Sequence, residues 1–301
     1  MKLGTFAQFS RNAHRLREVV GVLAKYGLAH WVKEKDPEFI KELLKSSGGE
    51  QISELPTEVR IRMAITELGT TFIKLGQILS TRADLVGPAI ADELTKLQAD
   101  VPADAEEAVR RTVESELGQP LEELYAEFDL QALGSASIGQ VHRAKLNSGE
   151  TVVVKVQHDN IEPVIDDDLE ILRILAEAAE NYSPDLRLYQ PRATVADFSR
   201  NLKRELDYRR ELRSLNQFTQ NFADDDWVCI PVTYPELSSR RVLTMEMFDG
   251  YSIANTERMD QDGIDKADFI QRGARMYLDM VFRDRFFHAD PHPGNLWVLS
   301  R

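Results

Sequence analysis

The 301-residue sequence contains a single cysteine. No internal disulfide can form, and the chain fits a reducing compartment. Cys229 lies in the apolar run WVCIPV and is expected to be a buried small hydrophobe. No stretch of about 18 apolar residues occurs, so no spanning helix is expected. The N-terminus lacks the apolar core of a secretory signal. No G-x-S-x-G and no plausible Cys-His pair is present, which removes the familiar acyl-transfer nucleophiles. Internal repeats and low-complexity segments are absent. Basic residues are in deficit, with 37 Lys/Arg against 50 Asp/Glu and a net charge of −13. That balance argues against a general nucleic-acid binder.

The charge is uneven. Residues 1–35 carry seven Lys/Arg against two Glu. The same segment places Phe6, Phe9, Leu16, Val19, Val20, Leu23, Tyr26 and Trp31 at roughly helical spacing. A basic, aromatic-bearing amphipathic helix can lie on an anionic membrane surface or dock on the domain behind it. The sequence leaves both open.

Four regions follow from composition. Residues 1–52 read as helical, with turns at Asp36-Pro37 and Ser46–Gly49. Residues 53–127 read as a helical extension broken at Gly87-Pro88 and Val101-Pro102, with a capping-type helix start at Asp104. Residues 128–250 turn β-rich, with Asn147-Ser148-Gly149 as a hairpin turn. Helical patterns intervene at 164–181 and 191–222, and a second β stretch occupies 228–248. Residues 251–301 begin with a long helix at about 265–286 that leads into HADPHPGN (288–295). This order of parts is that of the protein-kinase-like fold.

The octapeptide carries the chemistry. Asp290 followed by Asn295 is the spacing at which phosphotransferases place a residue orienting the acceptor and an amide ligand for Mg²⁺. No acidic residue follows Asp290, so the second metal-binding Asp of kinase chemistry is missing and little or no turnover is expected. His288, Asp290 and His292 match no common zinc pattern.

Gly134-Ser135-Ala136-Ser137-Ile138-Gly139-Gln140 is a small-residue loop between strands, able to approach phosphates through its backbone. Ala136 stands where a G-x-G-x-x-G loop has its middle glycine, and small residues also make ordinary tight turns. In the run Val152–Val156, alternation puts Lys155 on the face opposite Val152, Val154 and Val156. A lysine there needs a counter-charge. Glu205, Asp207 and Glu211 are the candidates; on one helix Asp207 and Glu211 would share a face, and spacing does not choose among the three. Thr244–Gly250, with Glu246 and Met247, falls where backbone groups of an inter-lobe hinge meet adenine; a strand end followed by a turn explains the same residues.

Taken together, FIKLGQILSTRADLVG (72–87), LQADVP (97–102), LGSASIGQVHRAKL (133–146), VVVKVQ (152–157), ELDYRREL (205–212) and FFHADPHPGN (286–295) resemble the UbiB/AarF/ABC1 (ADCK) atypical kinase family. The most specific element is Lys74-Leu75-Gly76-Gln77, which ordinary kinases do not have. A small-molecule kinase of the aminoglycoside or choline type does not account for it.

The resemblance implies an α+β, protein-kinase-like fold with a helical N-terminal extension, an antiparallel N-lobe sheet and an incomplete helical C-lobe. It implies ATP and Mg²⁺ as cofactors. Lys155 would bind the nucleotide with Glu211 as its partner, alongside Gly134, Ser135, Ala136, Ser137, Gly139, Glu246 and Met247. Asp290 and Asn295 would be the catalytic-loop pair, and Glu205 and Asp207 the E-x-D signature. Lys74 and Gln77 would belong to an extension folded over the active site. The family is linked to ubiquinone and related isoprenoid-lipid pathways as ATPases or unorthodox kinases. The implied setting is therefore a cytoplasmic protein peripheral at the inner membrane, with a lipid or quinone-pathway partner, no nucleic acid, and a homodimer left open. A non-catalytic lipid-binding scaffold is the competing reading.

Overall fold

The computed structural model describes residues 3–28, 55–97, 101–182, 187–289 and 295–299. Asp290, His292, Trp31 and the turns at Asp36-Pro37 and Ser46–Gly49 lie outside the described residues. The fold is α+β, with helices on an antiparallel sheet.

The extension comprises α1 (Leu3–Lys25), α2 (Thr57–Leu68), α3 (Thr70–Ser80), α4 (Ala83–Val86) and α5 (Pro88–Leu94). Gly87, at φ 85°, and Pro88 at the first helical position make the break that the dipeptide predicts. From residue 13 onward the apolar side chains of α1 dock on the domain. Val19, Val20 and Tyr26 are buried, and Arg15 Nε donates to Asp168 Oδ1 at 2.7 Å while its Nη2 donates to the Leu68 carbonyl at 2.7 Å. Lys25 pairs with Glu67 at 2.7 Å. Of the two readings of this helix, docking describes its side chains from residue 13 onward. Among the described residues no helix is long and apolar enough to cross a membrane.

α6 (Glu106–Leu117) and α7 (Leu121–Leu124) lead into the sheet. Its strands are β1 (Glu127–Phe128), β2 (Gly134–Ser135), β3 (Gly139–Lys145), β4 (Thr151–Gln157) and β5 (Val242–Glu246). The order is β1-β3-β4-β5, with β2 also on β3 and every pairing antiparallel. Gly149, at φ 105°, makes the β3–β4 turn where sequence placed it. Val152, Val154 and Val156 are buried at 0–1% exposure against Val109, Val113, Leu121, Leu124 and Tyr125. Burying three valines contributes roughly 1.5–3 kcal/mol apiece, and it turns Lys155 to the opposite face.

Between β4 and β5 run α8 (Ile161–Tyr182), α9 (Pro191–Glu205) and α10 (Tyr208–Asn221). Beyond β5 come β6 (Gly250–Ser252), α11 (Thr256–Gln261), α12 (Lys266–Leu278) and β7 (Trp297–Leu299). β7 pairs antiparallel with β6, Trp297 opposite Ser252 and Leu299 opposite Gly250, so the end of the octapeptide approaches the chain just after β6.

Five expectations need correction. The pattern at 191–222 is two helices, because Asp207 leaves the helix to cap α10 and accepts from the Arg209 N–H. Asp207 and Glu211 therefore do not share the face of one continuous helix. Asp104 caps nothing: Ala105 precedes α6 without a side-chain cap, and the Asp104 carboxylate accepts from the Asp159 N–H at 2.8 Å. Of the 228–248 stretch only Val242–Glu246 is a strand; upstream of it lie an isolated bridge at Thr233 and a 3₁₀ turn at Pro235–Leu237. The long helix at 265–286 ends at Leu278 and passes into a π turn over Asp279–Arg283. Cys229 is half-buried rather than buried.

Candidate functional site

The site is built where β4, α10 and the turn between β2 and β3 meet. Lys155 projects from β4 and its Nζ donates to Glu211 Oε1 at 2.8 Å and Oε2 at 2.7 Å. Glu211 stands one turn into α10, whose start is fixed by the Asp207 cap. Both side chains keep partial access to solvent, 27% for Lys155 and 39% for Glu211. The lysine has its counter-charge and remains open to a ligand.

Tyr208 opens α10 and is a residue that the sequence reading missed. Its ring is buried, with Lys155 Nζ 5.0 Å from the centroid. Burial, then the charges of Glu211 and Glu205, push its phenol well above the usual tyrosine range, so it stays neutral at physiological pH. Its helix break is anchored at long range. The Tyr208 N–H donates to the Arg240 carbonyl at 2.9 Å, and Gln157 Nε2 donates to the Leu206 carbonyl at 2.6 Å.

The small-residue turn sits at the head of the Lys155 strand pair. The Ala136 N–H donates to the Gly139 carbonyl at 2.9 Å, closing a tight turn. Gly134 and Ala136 are exposed, whereas Ser137 and Ile138 are buried. Gly139 is required by packing: a Cβ there would stand 2.5 Å from both the Tyr208 hydroxyl and the Val156 carbonyl oxygen. Of the five candidate phosphate-facing residues, Gly134 and Ala136 are thus open, Ser135 and Gly139 are half-buried, and Ser137 is buried.

A second ion pair links the extension to the same region. Lys74 Nζ on α3 lies 2.9 Å from Glu205 Oε2 at the end of α9. Gly76 is small for packing reasons, since a Cβ would collide with Leu97 Cδ1 and press on Ile65. Gln77 is half-buried, and its carbonyl accepts from the Ser80 hydroxyl at 2.7 Å.

The structure therefore joins Lys155 to Glu211 and Lys74 to Glu205. Asp207 is turned elsewhere. Its oxygens accept from Arg209 Nε and Nη2 at 2.8 and 3.0 Å, a pairing that holds its carboxyl below the usual range. Glu246 ends β5 and its carboxylate accepts from the Val232 N–H at 3.1 Å, while the Met247 N–H donates to the Thr151 carbonyl at 3.2 Å. Asn295 is exposed just before β7. Among the described residues no three His, Cys, Asp or Glu side chains gather as a metal-binding group.

Residues 96–301 match the model of the ABC1 atypical kinase-like domain. The chain is 41% identical over 247 residues to a probable protein kinase UbiB of Pseudomonas fluorescens (strain SBW25), and 42% identical over 249 residues to the protein of that name from Pseudomonas putida (strain ATCC 700007). Each match covers 82% of this chain and 46% of the relative. The chain thus spans about half the length of the curated relatives it matches. Among solved structures, the Rv3197–erythromycin complex from Mycobacterium tuberculosis superimposes with a TM-score of 0.56 at 26% identity, covering 75% of this chain and 56% of that one. With the strand lysine paired to a helix glutamate on a kinase-like sheet, and with the family model matching residues 96–301, this chain belongs to the UbiB/ABC1 family of atypical kinase-like proteins.

Proposed function

We propose that this chain binds MgATP as an atypical kinase or ATPase of the UbiB type, in support of ubiquinone or related isoprenoid-lipid biosynthesis at a membrane surface. The observation that carries the reading is the Lys155–Glu211 pair, held in reach of solvent beside a turn of small residues. An ammonium on a strand, clamped by a helix carboxylate, is the arrangement that grips nucleotide phosphates.

The residues present fit a nucleotide. Lys155 would hold the phosphates, the exposed backbone at Gly134 and Ala136 would lie along them, and Glu246 and Met247 would flank the base. Asn295 would hold the metal and Asp290 would orient water or an acceptor hydroxyl. The bound metal and nucleotide supply a charge-neutralised phosphoryl group ready for transfer. Lys74, Gln77, Glu205 and Asp207 would border that region from the extension and the α9–α10 junction, with the Lys74–Glu205 pair as the support for this placement.

Calorimetric titration of the chain with ATP and Mg²⁺ tests this reading, with Lys155→Met as the control. Binding that the substitution weakens supports it. Absence of ATP binding, together with flotation on anionic liposomes that is lost on removing residues 1–35, would establish the non-catalytic lipid scaffold instead.

A further inference from the structure

The Lys155–Glu211 pair does not by itself fix where the ammonium stands. A lysine head rides on a flexible four-carbon stem, and the glutamate that grips it is also a long side chain with access to solvent. An exposed ion pair shifts an equilibrium by about fivefold at most. A ligand that has to meet the ammonium in one place needs a stiffer support.

Tyr208 supplies one. It is 6% exposed, and its position follows directly on the Asp207 cap that starts α10. Its N–H is tied to the Arg240 carbonyl at 2.9 Å, so the ring hangs from fixed backbone and has only two side-chain torsions of its own. Tyr208 and Glu211 are three residues apart at the start of one helix, which makes them neighbours on its surface. Both meet Lys155 Nζ, the carboxylate at 2.7 and 2.8 Å and the ring face at 5.0 Å from its centroid. That distance is inside the roughly 6 Å over which a ring face attracts a cation. Such a contact is worth about twofold when exposed and about thirtyfold when dry, so it matches or exceeds the ion pair beside it.

The other end of the ring lies against the small-residue turn. A Cβ on Gly139 would stand 2.5 Å from the Tyr208 hydroxyl, so the phenol occupies the space that the glycine leaves. Gly139 opens β3, and its carbonyl closes the turn by accepting from the Ala136 N–H at 2.9 Å. One buried ring therefore touches the ammonium with its face and the base of the turn with its hydroxyl. Glu211 engages two of the three ammonium N–H groups, which leaves one for a ligand.

We propose that Tyr208 is a positioning residue for Lys155: its ring, set between Gly139 and the ammonium, fixes how far Nζ stands from the turn, so that both can meet the same phosphate. That a phosphate is what they meet rests on the nucleotide reading; the placement of the ammonium does not.

The test uses the full chain and a double-mutant cycle on MgATP affinity, with Tyr208→Leu, Lys155→Met and the two combined. Tyr208→Leu should weaken binding about threefold to tenfold, within the range of one cation–ring contact, and should add no further loss once Lys155 is methionine. Tyr208→Phe, which keeps the ring face, should restore affinity to within about twofold of the wild type. A loss from Tyr208→Leu that is equally large without Lys155 would make the tyrosine a packing residue only and overturn the proposal. So would a Tyr208→Phe variant as weak as Tyr208→Leu.

A second measurement needs neither ligand nor a folded leucine variant. The Lys155 ammonium ¹H–¹⁵N signal, assigned by its disappearance in Lys155→Met, should carry an upfield ring-current shift in the wild type and in Tyr208→Phe. A wild-type signal without that shift would overturn the proposal. A shift present in a chain that binds no ATP would keep the placement of the ammonium and remove the nucleotide reading.

Discussion

Lys155 Nζ donates to both carboxylate oxygens of Glu211 across 56 residues of chain. Because both side chains are partly exposed, the pair contributes only about 0–1 kcal/mol to stability. Its removal should be felt at the ligand instead. Lys155→Met is expected to leave the urea midpoint nearly unchanged and to weaken ATP binding about tenfold or more, as loss of charge-assisted phosphate bonds implies. Equal ATP affinity in the variant, measured by calorimetry, would separate the pair from nucleotide binding.

The opposite balance holds for Arg15 and Asp168. The Asp168 side chain is 1% exposed and faces Arg15 at 2.7 Å. Arg15→Met strands a buried carboxylate and should destabilise the chain by about 3 kcal/mol, the low end for breaking a buried pair. Urea denaturation gives the magnitude. Limited proteolysis should then cut within α1 first, because that helix loses its polar anchor to α8.

Two glycines of one turn should respond differently to the same change. Gly139→Ala puts a methyl group 2.5 Å from the Val156 carbonyl oxygen and should cost about 2–3 kcal/mol or more through forced backbone movement. Gly134→Ala meets nothing within 4 Å and should stay within about 0.5 kcal/mol of the wild type. A thermal-melt comparison of the two variants checks the contrast.

Tyr125 gives the fold an alkaline limit. Its ring is buried and its hydroxyl lies 2.8 Å from Thr244 Oγ1; burial raises its pKa from 10.0 to about 12. Between those values the unfolded chain has lost the proton that the folded chain keeps. The stabilisation is complete below pH 10 and is lost as pH rises towards about 12. Tyr125→Phe should therefore flatten the fall in unfolding free energy over that window. An unchanged slope in urea titrations would assign the alkaline loss to other groups.

How much was legible in the sequence depends on how local each cause was. The alternation around Lys155, the Asn147–Gly149 turn and the Gly87-Pro88 break are set by neighbouring residues, and each appears where the residues predict it. The break at Leu206-Asp207 is different. No glycine or proline marks it, and its anchors are Arg240 and Gln157, which are distant in sequence. The stretch at 228–241 has β-type composition, but most of it gains no strand partner and is held by local bonds such as Ser238 Oγ to the Tyr234 carbonyl. Asp104 resembled a helix cap because capping and bracing a distant loop call for the same short carboxylate.

Ile138, at the tip of the small-residue turn, belongs to the same hydrophobic cluster as Val19 of α1, Phe72 of α3 and Leu169 of α8. The tip of the turn is therefore a core residue of the helical extension. Opening the turn far enough to free that side chain would expose a member of this shared cluster to water, so turn and extension should unfold as one cooperative unit. A ligand gripped by the turn would add its binding energy to that whole unit, and the first helix of the chain would register occupancy without touching the ligand.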